Sequence, residues 1–136
     1  MTEVLVVDDN RRDALLVEVC LTSRYIATVT LVDDGEEALR LLTGQDRKID
    51  LVLLELAMRR PPGSHVLRRM RRLRPQVPIV VFSASGNADE ISQAYAEGAN
   101  MYVEKPLDIY EFRRAIQSIA QLWLGPLGCM RTAGAS

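Results

Sequence analysis

Five side chains that could do chemistry stand at the ends of short apolar stretches of the chain. They are Asp8, Asp9, Glu55, Ser83 and Lys105. Three carboxylates in one place repel one another, and they are most natural around a hard divalent cation such as Mg²⁺, which prefers oxygen ligands. An ammonium and a hydroxyl opposite such an ion suit the oxygens of a transferred phosphoryl group. If the fold gathers these residues, they predict a magnesium site at which a phosphoryl group is handled.

An alternation of apolar runs and amphipathic stretches would position those side chains. The apolar runs predict five strands, at residues 4–7, 26–32, 49–56, 78–85 and 101–104. A stretch with helical spacing follows each strand, and the last one opens at Asp108 and runs to Leu124. Continuous apolar strands are typical of parallel sheets covered on both faces. We therefore expect an α/β fold of three layers, in which ligands bind at the carboxyl ends of the strands.

Length and composition narrow the class of protein. The chain has 136 residues, a length that suits one domain. Its net charge of -1 gives no overall electrostatic attraction to nucleic acid or to anionic membranes. No apolar run has the length of a membrane span, and the start at "EVLVVDD" leads us to expect no signal peptide. The isolated Cys20 and Cys129 and the single His65 offer no metal-site spacing. We expect a cytoplasmic protein with its domain at residues 1–124 and a disordered tail at residues 125–136.

The chain resembles the receiver domain (CheY-like) of bacterial two-component response regulators over about residues 3 to 124. The resemblance depends on the acidic pair in "VVDD", the strand "DLVLLEL" followed by Gly63, Ser83 in "VVFSAS", Tyr102, and "KP" at Lys105-Pro106. It implies a doubly wound, flavodoxin-like sheet of five parallel strands in the order 2-1-3-4-5. It also implies a signalling protein rather than an enzyme.

The resemblance assigns a role to each residue of the site. In receivers an aspartate after the third strand accepts a phosphoryl group from a histidine kinase, and Glu55 stands at that phosphoacceptor position. The implied Mg²⁺ ligands are Asp8, Asp9, Glu55 and the backbone carbonyl of Ala57. The implied phosphoryl-contact and switch residues are Ser83, Lys105 and Tyr102, the last of which changes rotamer as Ser83 moves.

Glu55 is the main departure from the family pattern, because receivers have Asp there. The extra methylene moves the carboxylate oxygens by about 1.5 Å, and a misplacement of about 1 Å can slow a reaction about a hundredfold. We therefore expect poor or absent phosphoryl acceptance and weak Mg²⁺ binding, or none. The longer carboxylate is expected to pair with Lys105 or to bind the Ser83 hydroxyl, and thus to imitate the phosphorylated state in part.

The predicted function is that of a stand-alone, atypical receiver, a phosphomimetic or phosphorylation-independent switch or adaptor. Two alternatives stay open. One is an ordinary kinase-phosphorylated single-domain receiver that carries an Asp-to-Glu substitution, and the other is a non-signalling scaffold for protein interactions. The loop after Met58 carries Arg59-Arg60, where receivers usually have a proline, and a single change at position 55 would not explain this second departure.

A second resemblance concerns partners. The ending "QLWLG" and the "DALL" after the acidic loop are similar to the single-domain regulators associated with bacteriophytochromes. It implies a sensor histidine kinase, such as a bacteriophytochrome, or a downstream regulator as partner. It also implies a homodimer formed through the last helix, its tail and the face of the fourth helix. The expected interface residues are Trp123, Leu124 and Phe112. We interpret the arginines around the third helix as a solvated helix face, so neither nucleic acid nor membrane is an expected partner.

Overall fold

The computed structural model describes residues 2–24, 27–44, 47–58 and 61–129, with side chains described up to residue 125. The strands are β1 (Thr2–Val7), β2 (Ala27–Val32), β3 (Leu51–Leu54), β4 (Ile79–Ser83) and β5 (Met101–Glu104). The helices are α1 (Arg11–Arg24), α2 (Gly35–Thr43), α3 (Gly63–Leu73), α4 (Ala88–Ala96) and α5 (Ile109–Cys129). No helix within these ranges is long and apolar enough to cross a membrane.

The strands form one parallel sheet in the order β2-β1-β3-β4-β5, which confirms the predicted fold. Val7 pairs with Leu54, so β1 and β3 end level with each other. The Glu55 N–H donates to the Val7 carbonyl at 2.9 Å, and the Lys105 N–H donates to the Ser83 carbonyl at 2.7 Å. β3 is shorter than the predicted residues 49–56, so Glu55 lies in the loop after the strand. The register of the sheet alone therefore gathers the ends of these strands.

Alternate residues of the strands belong to two separate hydrophobic cores, one on each face of the sheet. Leu5 and Leu54 face the side covered by α2, α3 and α4. Val4 and Leu53 face the side covered by α1 and α5. All four are at most 2% exposed, and this burial on both faces explains why the strands are continuous apolar runs.

Arg71, in α3, and Arg74, directly after α3, connect the loops at the amino-terminal edge of the sheet. Arg71 donates through Nη2 to the Gly98 carbonyl at 2.7 Å and through Nη1 to the Val77 carbonyl at 2.7 Å. Arg74 donates through Nε to the Leu42 carbonyl at 3.0 Å. These carbonyls at helix and loop ends need donors, and the guanidinium groups supply them. The interpretation of the arginines as a solvated face is wrong for these two, and Arg59 and Arg60 lie outside the described residues.

α5 runs past residue 124, the predicted end of the domain. The backbone leaves helical geometry at Gly125, with φ 74° and ψ 166°, and helix resumes to Cys129. A positive φ of this size favours glycine, which explains why the kink lies at Gly125. Residues 130–136 lie outside the described residues, and the boundary at 124 and the disordered tail stay predictions.

Candidate functional site

The carboxylate of Glu55 lies at the centre of the cleft, where it is 4% exposed. Its Oε1 accepts hydrogen bonds from the Ser83 hydroxyl at 2.6 Å and from the Ala57 N–H at 2.8 Å. Its Oε2 accepts one from the Ala84 N–H at 3.1 Å and lies 2.9 Å from Lys105 Nζ. A buried carboxylate needs such donors to offset the loss of water. The two alternatives predicted for Glu55, contact with Lys105 and contact with Ser83, occur together.

Lys105 lies among three carboxylates. Its Nζ is 2.6 Å from Asp8 Oδ2, 2.9 Å from Asp13 Oδ2 and 2.9 Å from Glu55 Oε2. The Lys105 side chain is 6% exposed. An ammonium has three N–H donors, and each finds its own carboxylate here. We call Asp8, Asp13 and Glu55 the carboxylate cage.

Burial and hydrogen bonds move the pKa values of the cage residues in different directions. Burial raises the pKa of Asp8, and the Lys105 ammonium offsets only part of that shift. Burial also opposes ionisation of Glu55, but the hydrogen bonds from Ser83, Ala57 and Lys105 hold its pKa below the ordinary value. Burial would lower the pKa of Lys105, whereas its bonds to Asp8 and Asp13 raise it above the ordinary value. Glu55 and Lys105 are therefore both charged at neutral pH.

The predicted metal ligands are not assembled as a ligand set. Within the described ranges, no group of three or more His, Cys, Asp or Glu side chains is arranged to hold a metal ion. Asp8 faces Lys105, Asp9 is exposed, and both oxygens of Glu55 are occupied by donors. Ala57 turns its N–H toward Glu55. The four residues therefore do not form a metal site as they stand, because the Lys105 ammonium holds two of them, Asp8 and Glu55.

A chain of hydrogen bonds leads from Glu55 to α4. The Ser85 N–H lies 3.4 Å from the Ser83 hydroxyl that binds Glu55. The Ser85 hydroxyl donates to Glu90 Oε2 at 2.8 Å, in the first turn of α4. The Tyr102 hydroxyl donates to the Ser85 carbonyl, and burial raises the pKa of that hydroxyl. Tyr102 is thus placed to respond to Ser83, and its change of rotamer stays a prediction.

The three predicted interface residues differ in exposure. Phe112 is 4% exposed, with its ring centroid 5.1 Å from that of Phe82 at an interplanar angle of 69°. The prediction that Phe112 forms part of an interface is wrong, because the ring packs edge-on in the core between the sheet and α5. Trp123 is half-buried and donates its indole N–H to Met101 Sδ at 3.3 Å. Leu124 is also half-buried.

Sequence reasoning missed Asp13 and the Ala84 N–H as members of the site. Asp13 lies in the first turn of α1, where an acidic residue is favourable for the helix dipole alone. Its N–H donates to Asn10 Oδ1 at 3.0 Å at the start of α1, and its carboxylate lies 2.9 Å from Lys105 Nζ. The signal in the sequence is an acidic residue shortly after the acidic pair, on the helix that covers the cleft. A backbone donor such as Ala84 leaves no signal in residue type.

Sequence comparisons show which known proteins this chain is similar to. The family model described as response regulator receiver domain matches residues 4–117. The probable methanogenesis regulatory protein FilR2 of Methanothrix harundinacea (strain 6Ac) is 32% identical over 130 residues, which cover 90% of this chain and 83% of that protein. Response regulator Rcp1 of Synechocystis sp. is 28% identical over 129 residues, which cover 89% of this chain and 88% of that protein.

Two solved structures of response regulators superpose on this chain. A crystal structure of the Mn(2+)-bound form of Rcp1 superposes with a TM-score of 0.84 at 24% identity, over 93% of this chain and 96% of that one. The phosphorylated cyanobacterial phytochrome response regulator RcpA superposes with a TM-score of 0.86 at 27% identity, over 94% of this chain and 97% of that one.

Proposed function

The chain belongs to the response regulator receiver domain family, and from this premise we propose that Glu55 replaces the phosphorylated aspartate as the group that sets its switch. Receiver domains are signalling proteins of two-component systems. In this receiver a permanent carboxylate occupies the position at which other members carry a phosphoryl group only after a kinase has acted. The state of the switch is therefore set without phosphorylation.

One observation carries the proposal: Glu55 binds both side chains that contact phosphoryl oxygens in receivers. The Ser83 hydroxyl donates to Oε1 at 2.6 Å, and Lys105 Nζ lies 2.9 Å from Oε2. A carboxylate carries one negative charge where a phosphoryl group carries about 1.5 to 2. Glu55 therefore imitates the phosphorylated residue in its contacts, with less charge and fewer acceptor oxygens.

The same contacts oppose phosphoryl acceptance. A nucleophilic oxygen of Glu55 must approach phosphorus in line, and each of its two oxygens is held by two donors. Hydrogen bonds to a charged group contribute roughly 1.5–3 kcal/mol each. Attack from Glu55 would require some of these bonds to break before any new bond forms.

The hydrogen bonds beyond Ser83 supply a route for output. We propose that Ser83, held by Glu55, fixes the loop at Ser85 and with it Glu90 and Tyr102. The partner is then a protein that contacts the region of α4 and β5, either a sensor histidine kinase or a downstream regulator. The similarity to RcpA, a cyanobacterial phytochrome response regulator, supports a kinase of the phytochrome class.

The remaining features of the proposal concern metal, assembly and location. Receiver domains bind a divalent metal, and the Mn(2+)-bound Rcp1 structure is an example among the structural neighbours. For this chain we propose weak Mg²⁺ binding, because Lys105 already holds the carboxylates of Asp8 and Glu55. The apolar surface left exposed at the end of α5, on Leu122 and in part on Trp123 and Leu124, supports a homodimer through this helix. The buried, unpaired thiol of Cys20 supports a cytoplasmic location.

The test is the intact mass of the protein after treatment with acetyl phosphate and Mg²⁺. We expect Glu55→Asp to gain one phosphoryl group, while the natural chain and the control Glu104→Asp, which shortens an exposed carboxylate at the end of β5, gain none. A gain by the natural chain would favour an ordinary phosphorylated receiver. No gain by any of the three would favour the scaffold, since the cleft would then have lost phosphotransfer altogether.

A further inference from the structure

We propose that the Lys105 ammonium is the resident cation of this site, and that Asp13 holds it there against a divalent metal. The inference rests on the proposed function, because it assigns the regulation of the same site. It adds a positioning residue, Asp13, which lies outside both the acidic pair and the phosphoacceptor position.

Three carboxylates from three elements meet at one nitrogen atom. Asp8 follows β1, Asp13 lies in α1 and Glu55 follows β3, and their oxygens are 2.6, 2.9 and 2.9 Å from Lys105 Nζ. The ammonium has no N–H left for water, and its side chain is 6% exposed. A divalent ion would need the oxygens of Asp8 and Glu55, which the ammonium already holds. Metal and Lys105 therefore compete for the same two carboxylates.

Asp13 decides the competition. Its side chain is 15% exposed, and its Oδ2 is directed at Lys105. A metal ion that displaced the ammonium would leave Asp13 with a buried charge and no cation beside it. Removing one member of a buried ion pair is costly, because the remaining charge is uncompensated. The Asp13 carboxylate thus opposes metal entry although it is itself negatively charged.

This reasoning predicts the sign of a substitution effect. Neutralising Asp13 should strengthen metal binding about tenfold, because it removes one charge-assisted bond that holds the ammonium. If Asp13 acted only as a nearby anion, or as an alternative partner for a displaced Lys105, its neutralisation would weaken metal binding. The direction of the change separates these explanations.

The chain itself provides the probe. It contains two lysines, Lys48 and Lys105, so nitrogen-15 labelling of lysine gives two ammonium signals. Lys48, whose side chain is 78% exposed, is the internal control. We expect slow proton exchange with water at Lys105 and fast exchange at Lys48. Exchange at Lys105 as fast as at Lys48, without metal, would overturn the proposal.

A Mg²⁺ titration followed by these signals completes the test. We expect the Lys105 signal to shift at about tenfold lower Mg²⁺ in Asp13→Asn than in the natural chain, while the control Glu111→Gln, an exposed acid of α5, follows the natural chain. An equal or higher Mg²⁺ requirement in Asp13→Asn would overturn the proposal. If that variant does not fold, acylation of the natural chain decides, and modification of Lys105 at the rate of Lys48 would overturn it. None of these outcomes changes the phosphoryl mass of Glu55→Asp, so the two proposals can fail separately.

Discussion

Ser83→Ala should destabilise the fold by an amount set mainly by the hydrogen bond from the Ser83 hydroxyl to Glu55. Ser83 is fully buried, and its hydroxyl donates to Glu55 Oε1 at 2.6 Å. A hydrogen bond to a charged group contributes roughly 1.5–3 kcal/mol. Oε1 keeps the Ala57 N–H after the substitution, so it is not left without a donor. We therefore expect a loss of about 1.5–2 kcal/mol in the free energy of unfolding.

Urea unfolding followed by the fluorescence of the single tryptophan, Trp123, measures this loss. The matched control is Ser92→Ala on the exposed face of α4, which should change stability by at most about 0.5 kcal/mol. The two substitutions Ser83→Ala and Glu55→Gln, alone and combined, then form a double-mutant cycle. We expect a coupling energy of about 1 kcal/mol or more, because the bond is charge-assisted only with Glu55 ionised.

Two results would refute the reasoning. A loss in Ser83→Ala no larger than that in Ser92→Ala would mean that the 2.6 Å contact contributes nothing measurable to stability. An unchanged loss in the Glu55→Gln background would mean that Ser83 acts through its packing and independently of the Glu55 charge. In either case Glu55 would not hold the switch through Ser83.

Three further predictions concern the ends of the sheet. Arg71→Lys should lower the free energy of unfolding by about 2–3 kcal/mol in urea, because a compact ammonium lacks the planar fork by which the guanidinium reaches the Gly98 and Val77 carbonyls together. The exposed Arg69→Lys should change it by at most about 0.5 kcal/mol. Because the fold holds the pKa of Glu55 below its ordinary value of 4.5, the stability that Glu55 contributes is complete above that value. It is lost as the pH falls through the lowered pKa, so the stability gap between the natural chain and Glu55→Gln should narrow in urea titrations at stepped acidic pH, and a constant gap would contradict this. Gly63→Ala places a Cβ 2.4 Å from the Leu56 backbone; thermal unfolding should show a loss of at least roughly 2 kcal/mol, and near-natural stability would contradict the close approach.

The α/β class and the position of the site could be predicted from the residue pattern, and the strand order 2-1-3-4-5 from the resemblance to receiver domains. Buried parallel strands appear as continuous apolar runs, and their carboxyl ends must share one edge of the sheet. Glu55, Ser83 and Lys105 stand directly at those ends, so their proximity follows from the register. The contact of Glu55 with Ser83 or Lys105 could be predicted because glutamate has one methylene more than aspartate and its carboxylate reaches further into the cleft. That both contacts form at once depends on side-chain directions that the pattern does not contain.

The errors share a physical cause: the partner of the misjudged residue was not visible in residue types. Arg71 and Arg74 look like surface cations, but they bind backbone carbonyls whose direction depends on the loops. Asp13 looks like a helix-terminal acid, but its position over the cleft depends on how α1 packs. Phe112 looks like one of several apolar residues on α5, and only the packing against Phe82 shows that it is enclosed.

The arginine contacts at the amino-terminal edge of the sheet have a mechanical consequence. Arg71 joins the loop that precedes β4 to the loop that precedes β5, and Arg74 joins the end of α3 to the end of α2. The opposite edge, around Glu55, is held by side-chain contacts of Glu55 with Ser83 and Lys105. We infer that the arginine contacts hold the ends of α2 and α3 and the two loops in a fixed arrangement at the amino-terminal edge. A displacement that starts at Glu55 is then carried outward to the start of α4 and the end of β5, instead of being absorbed by a shift of the whole sheet.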